Sequence, residues 1–187
     1  RSSDVCMPTP DGAPGERTSS IVPRPCFNPP MLDVLSLRAR AEAWWSDDPS
    51  PADRDELQAL VAKEAWPEIA DRFAGRLEFG TAGLRGVLGA GPNRMNLAVV
   101  RAATAGLLAY LLETTPEARE RGLVVGCDGR RMSREFANEV VEVAVGAGFR
   151  ARTFDHVVPT PVVGFACKEL GAAAAVMVTA SHNPPEY

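Results

Sequence analysis

The sequence is poor in histidine and cysteine. It holds two histidines and four cysteines in 187 residues. The cysteines (Cys6, Cys26, Cys127, Cys167) show no metal-ligand spacing and are too sparse for a disulfide framework. Cys127 and Cys167 fall in apolar segments, so they are expected to be buried free thiols, in keeping with a reducing, cytoplasmic compartment. The net charge is −4, with acids and bases interleaved. No basic patch of the kind that grips nucleic acid is visible. No apolar run approaches the ~20 residues of a spanning helix, so no membrane association is expected. The N-terminus, Arg-Ser-Ser-Asp, has neither an initiator methionine nor an apolar signal segment. A fragment or a processed chain is therefore expected.

The hydrophobic content, 45%, is enough for a real core. Residues 1–30 stand apart, with seven prolines among Ser, Thr and Gly. They lack the periodic apolar residues that would offset their ordering entropy and read as a disordered leader. A proline-motif ligand is the functional alternative. Residues 31–75 read as a helical extension. Val34, Leu37, Ala41 and Trp44 repeat at helical spacing, widened by Trp45. Ser50-Pro51-Ala52-Asp53 combines a serine N-cap, a proline at N1 and a carboxylate near the positive helix end. Pro67 opens a further turn with Ile69 and Phe73 on one face. The tryptophans are read as packing.

From residue 76 the pattern changes. Arg76–Phe79 alternates as a short strand and enters Gly80-Thr81-Ala82-Gly83-Leu84-Arg85-Gly86. Three glycines let this backbone turn tightly and approach a ligand. Thr81 offers a hydroxyl, and Arg85 a planar fork suited to phosphate oxygens. A glycine turn with a solvated arginine fits the spacing equally well. It is not a Walker loop, because no Gly-Lys-Ser/Thr follows. Asn96 is a plausible N-cap for a helix over Leu97–Leu112. Leu123-Val124-Val125 is a buried strand ending at Asp128-Gly129-Arg130, and Ser133 can cap the next helix. Arg150–Phe154 is a strand, Thr160-Pro161 starts a helix, and Ala172–Val178 is a strand again. Alternation at this spacing implies crossover connections and an α/β fold, with helices on a mostly parallel sheet.

The last strand delivers Thr179-Ala180-Ser181-His182-Asn183-Pro184 to a turn at its C-terminal end, where open α/β sheets keep their chemistry. A serine hydrolase would need a Gly-x-Ser-x-Gly elbow. Here the flanks are Ala180 and His182, and an adjacent histidine is poorly placed as that serine's own base. Phosphorylation fits better. A phosphoserine carries roughly −1.5 to −2 charge and calls for a divalent cation, N–H donors and an arginine. His182 could act in proton transfer or donate to a phosphoryl oxygen, or be a turn histidine satisfied by backbone. His156, beside Asp155, is read as structural.

Thr179–Pro184 resembles the phosphoserine loop of the α-D-phosphohexomutase superfamily, and Phe79–Gly86 resembles its N-terminal signature. The two motifs stand about a hundred residues apart in the expected order, with alternating helices and strands between them. Asp128-Gly129-Arg130 and Pro159-Thr160-Pro161 also match features of these enzymes. The resemblance covers roughly 32–187, with residues 76–187 as the first α/β domain, truncated just after the phosphoserine loop. Glu78–Gly86, the loop Gly91–Asn96 and the helices with Trp44-Trp45 look most like one branch. That branch includes bacterial phosphoglucomutase/phosphomannomutase and phosphopentomutase-type enzymes.

The resemblance implies a phosphosugar mutase interconverting sugar 1- and 6-phosphates, glucose or mannose, through a sugar 1,6-bisphosphate. Ser181 would carry the phosphoryl group, with Arg85 and His182 beside it. Thr81 and Asn183 would join them in binding substrate, a small phosphorylated sugar. Mg²⁺ would be held at Ser181 through its phosphoryl group. The family's metal loop, sugar loop and C-terminal phosphate site, and a lysine that serves proton transfer, all come after the serine loop. These 187 residues alone are therefore expected to be inactive and to bind Mg²⁺ weakly. A phosphopentomutase of the same branch, a non-catalytic sugar-phosphate-binding module and a different serine-phosphorylated transferase are the competing readings.

Overall fold

The computed structural model describes residues 31–81, 83–181, 183 and 184. The leader, with Cys6 and Cys26, lies outside the described residues, as do Ala82, His182 and 185–187.

Helices α1 (Met31–Asp47), α2 (Pro51–Ala62) and α3 (Trp66–Arg72) form the extension. The Ser50 side chain caps α2 by accepting from the Asp53 N–H at 3.2 Å, with Pro51 at the first turn. Leu37, Ala41, Leu57, Ile69 and Phe73 form the extension's core, with Trp44, Trp45 and Trp66 packed around it. Burying a side chain such as Leu57 or Ile69 is worth about 1.5–3 kcal/mol. Trp44 meets Phe73 edge-on at 6.2 Å and donates to Asp48 Oδ2 at 2.9 Å. The tryptophans do pack, and Trp44 also satisfies a buried carboxylate.

The strand expected over Arg76–Phe79 forms only at its end. β1 (Phe79–Gly80) pairs antiparallel with β2 (Gly83–Leu84) in a minimal hairpin. The preceding residues run along the neighbouring loop instead, with the Leu77 N–H donating to Pro92 O at 3.2 Å. Asn96 caps α4 (Leu97–Thr114), accepting from the Val99 N–H at 2.9 Å. Its amide also donates to Gly89 O and Gly91 O, which fixes the glycine loop before the helix. α4 is, by length and composition, long and apolar enough to cross a membrane. The expectation of no such segment therefore fails. In this fold one stripe of α4, Val100, Leu108 and Leu111, is buried in the core it shares with α6.

After the short helix α5 (Ala118–Arg121) come β3 (Leu123–Cys127), α6 (Ser133–Gly146), β4 (Ala151–Thr153), α7 (Thr160–Glu169) and β5 (Ala174–Val178). The sheet is parallel in the order β4-β3-β5. β3 is central and buried along its whole length, as its apolar run predicts. Its residues alternate between two cores. Leu123, Val125 and Cys127 pack with Phe136 and Val140 of α6, whereas Val124 packs with Val158 and Val163. Gly126 has no room for a side chain, since a Cβ would stand 2.4 Å from Val163 Cγ2. The chain thus leaves β3 for β4 on one side and returns to β5 on the other. This order reversal sets the crevice for ligands at the C-terminal ends of the strands.

Candidate functional site

The loops leaving β3 and β5 meet at that crevice. The Asp128 N–H donates to Val178 O at 3.1 Å, tying the two strand ends together. The Asp128 carboxylate is the hub of the site. Its Oδ1 accepts from Ser133 Oγ at 2.6 Å and from the Arg130 N–H at 3.1 Å. Thr179 also favours the charged form of this carboxylate. Burial works against the charged form. The hydrogen bonds from Ser133 and the Arg130 N–H, with Thr179 and the Arg130 charge, outweigh it and hold the carboxyl below its usual range.

Thr179 Oγ1 accepts from the Ser181 N–H at 3.0 Å. The Asn183 N–H donates to Ala180 O at 3.0 Å and closes the turn. Arg130 grips the loop from the other side. Its Nη2 donates to Ser181 O at 2.6 Å and its Nη1 to Asn183 O at 2.8 Å. Its Nε lies 3.7 Å from Asp128 Oδ2. Ser181 is held at φ 55°, in the left-handed region. For a residue with a Cβ that conformation costs about 1–2 kcal/mol, so it persists only where surrounding bonds impose it. Ser181 is exposed at this end of the sheet.

Beside the loop is a cavity of about 470 Å³, with Arg85, Thr104, Arg131, Ser133, Thr179 and Asn183 in its walls. α4, α6 and β5 supply its apolar sides. Arg85 and Arg131 line the cavity, and Arg130 holds the backbone of the serine loop beside it, in a net acidic chain. The amino-terminal end of α6, with its positive dipole, opens at the same place. The arrangement suits a phosphorylated group at Ser181.

The structure thus brings Arg85, Thr179 and Asn183 into one cavity wall, with Ser181 on the same loop. Thr81 sits exposed in the β1–β2 turn, outside that wall. His182, expected beside the phosphoryl group, lies outside the described residues. His156 is exposed and paired with Asp155 at 2.5 Å, away from the serine loop. Ser133 does not cap α6. Met132 takes that position at φ 63°, and Ser133 is drawn to Asp128 by the carboxylate. Among the described residues no group of three or more His, Cys, Asp or Glu could hold a metal ion. The described side chains alone therefore do not form a Mg²⁺ site.

In the sequence, Asp128-Gly129 reads as a turn and Asp128-Gly129-Arg130 as part of a resemblance, and the grip of Arg130 on the serine loop is not visible there. A charged triplet directly after a buried central strand is the one local signal. The partners 51 and 53 positions away cannot be read from it.

Residues 76–187 match the family described as phosphoglucomutase/phosphomannomutase, alpha/beta/alpha domain I. The chain is 42% identical over 151 residues to a probable phosphoribomutase of Schizosaccharomyces pombe, covering 81% of this chain and 26% of that protein. It is 34% identical to a phosphopentomutase and 36% identical to a glucose 1,6-bisphosphate synthase, both of Mus musculus. Each of these two alignments covers 76% of this chain and 24% of the relative. The chain spans about a quarter of the length of these curated relatives. With that match over residues 76–187, the chain belongs to the phosphoglucomutase/phosphomannomutase family of the α-D-phosphohexomutase superfamily.

Proposed function

We propose that this chain is the phosphoryl-carrying part of a phosphosugar mutase. The observation that carries the reading is Ser181, held by Arg130 in a left-handed turn at a strand end, beside a cavity lined by Arg85 and Arg131. In the reaction, the bond between phosphorus and Ser181 Oγ breaks as a bond to a free hydroxyl of a bound sugar monophosphate forms. The proton of that hydroxyl ends on Ser181 Oγ, the leaving oxygen, with His182 as the proposed group that relays it. The resulting sugar bisphosphate turns over in the site and returns its other phosphoryl group to Ser181. Arg85 steadies the charge on the transferring group. Mg²⁺, proposed to be held through the phosphoryl group on Ser181, neutralises charge there when bound. Thr81 and Asn183 are proposed substrate contacts, Asn183 from the cavity wall and Thr81 only if the hairpin turn moves toward it.

The sugar is proposed to be a pentose phosphate. The similarity to a phosphoribomutase and a phosphopentomutase supports this over the glucose or mannose expected from the motifs alone. A cytoplasmic setting is proposed too, supported by the free thiols of Cys127 and Cys167. The test is turnover of ribose 1-phosphate against glucose 1-phosphate by the whole protein, with Mg²⁺ and a trace of glucose 1,6-bisphosphate. Faster turnover of ribose 1-phosphate that vanishes in Ser181→Ala is expected. A preference for the hexose would overturn the pentose assignment, and activity surviving in Ser181→Ala would overturn the mechanism.

A further inference from the structure

We propose that Arg130, anchored by Asp128, is the positioning residue that keeps the Ser181 loop in its reactive shape. The inference rests on the phosphoserine reading above and goes beyond it, because it assigns a task to a residue that touches no sugar. Arg130 spends its two terminal nitrogens on the carbonyl oxygens of Ser181 and Asn183, at 2.6 and 2.8 Å. A third, longer contact runs from Nη1 to Pro184 O at 3.4 Å. All three acceptors belong to the one loop, and none to the core. The same guanidinium is oriented by Asp128, whose carboxylate is itself fixed by Ser133 and the Arg130 N–H. The loop is therefore held from both flanks. On one flank the Thr179 hydroxyl accepts from the Ser181 N–H, and on the other Arg130 joins Asp128 to the Ser181 carbonyl.

Neither simpler role suits these contacts. A stability residue would tie elements of the core together, and Arg130 reaches only the loop. A substrate-binding residue would turn its donors outward, and here both terminal nitrogens face carbonyl oxygens. What they do supply is a reason for Ser181 to stay at φ 55°. Phosphoryl transfer needs the donor and acceptor oxygens in line, and a misplacement of about 1 Å can cost roughly 100-fold in rate. A planar fork that meets two carbonyls at once gives that accuracy, and an ammonium does not.

The test uses the whole protein with Arg130→Lys, Arg130→Gln, Asp128→Asn and Ser181→Ala. The readouts are kcat, KM, the rate at which Ser181 gains phosphate from a sugar bisphosphate (by mass spectrometry of its peptide) and the thermal midpoint. Both Arg130 variants should lose about 10- to 100-fold in kcat and in phosphate loading, with KM within about twofold and the thermal midpoint little changed. Lysine should not rescue. Asp128→Asn should show the same pattern, about 10-fold. Unchanged kcat in Arg130→Lys would overturn the proposal. So would a raised KM at unchanged kcat, which would make Arg130 a substrate ligand. Loss of the folded state in Arg130→Lys would also overturn it, by making Arg130 a stability residue. Full activity in Ser181→Ala would instead remove the phosphoserine reading itself. An inactive Ser181→Ala beside a normal Arg130→Lys would remove only the inference.

Discussion

Arg72 and Arg130 each tie a loop to its neighbours, one in the interior of the helical extension and the other at the solvent-facing end of the sheet. Arg72 is 6% exposed. Its Nη2 donates to Glu56 and Glu68 at 2.7 and 2.8 Å, and its Nη1 to Ala90 O at 3.0 Å. Those bonds fasten the glycine loop onto α3 and bury Ala90 in the extension's core. Its Nε is buried without a hydrogen-bond partner, a cost the well-paired nitrogens must offset. Arg130 keeps 29% of its side chain exposed, and its acceptors lie on the reactive loop. The buried arginine holds the molecule together, and the open one holds a conformation. Damage to the first should appear as lost stability, and damage to the second as lost turnover.

Substitutions on either side put this contrast at risk. The largest effect should come from Ser181→Ala, which removes the proposed phosphoryl carrier and should cut turnover of the whole protein by about 10³-fold or more, with the thermal midpoint preserved. Arg85→Lys should lower kcat about 10-fold without unfolding, because an ammonium cannot present the planar fork. Equal rates would mean that Arg85 does not act on the transferring group. On the other side, Arg72→Ala should lower the unfolding free energy by about 2–4 kcal/mol in denaturant titration. The lower part of that range is favoured, because the Glu56 and Glu68 side chains, 38% and 50% exposed, can regain water. The activity per folded molecule should not change, and a fall in kcat would erase the contrast. Ser50→Ala should cost about 1 kcal/mol through the lost cap of α2.

Acid should act on the same buried arginine cluster. Burial disfavours the charged form of Glu56, but the Arg72 guanidinium and the Ala90 N–H outweigh it and hold its carboxyl below the ordinary range. A lowered carboxyl stabilises the fold above the unfolded value, about 4.3, and that contribution is lost as the pH falls through the folded one. Asp128 has the same sign, and Asp53, raised chiefly by burial, has the opposite one. Unfolding free energy should therefore drop below about pH 4, and Glu56→Gln should flatten that drop.

Most of the fold could be read in the sequence because its signals are local. The alternation of β3, α6, β4, α7 and β5 follows from apolar runs and turn residues, and the caps Ser50 and Asn96 from side-chain chemistry. What failed was decided at a distance. Arg76–Glu78 looked like a strand by alternation but is held by Pro92 and the loop around it. Ser133 looked like a cap, yet the Asp128 carboxylate offers its hydroxyl a stronger, charged acceptor. At the site, Ser181 and Arg85 were legible as chemistry-bearing types in glycine- and proline-marked turns. Arg130 was not, because its acceptors are backbone oxygens on a strand end brought near only when the sheet forms.

The central claim is that Ser181 carries the phosphoryl group, and it can be measured directly. Ser181 in the whole protein would be loaded from a sugar bisphosphate bearing labelled phosphate, and its peptide monitored by mass spectrometry before and after addition of unlabelled sugar 1-phosphate. The account predicts label on Ser181 that leaves for the sugar at the rate of turnover. Label on another residue, or label on Ser181 that outlasts many turnovers, would contradict it.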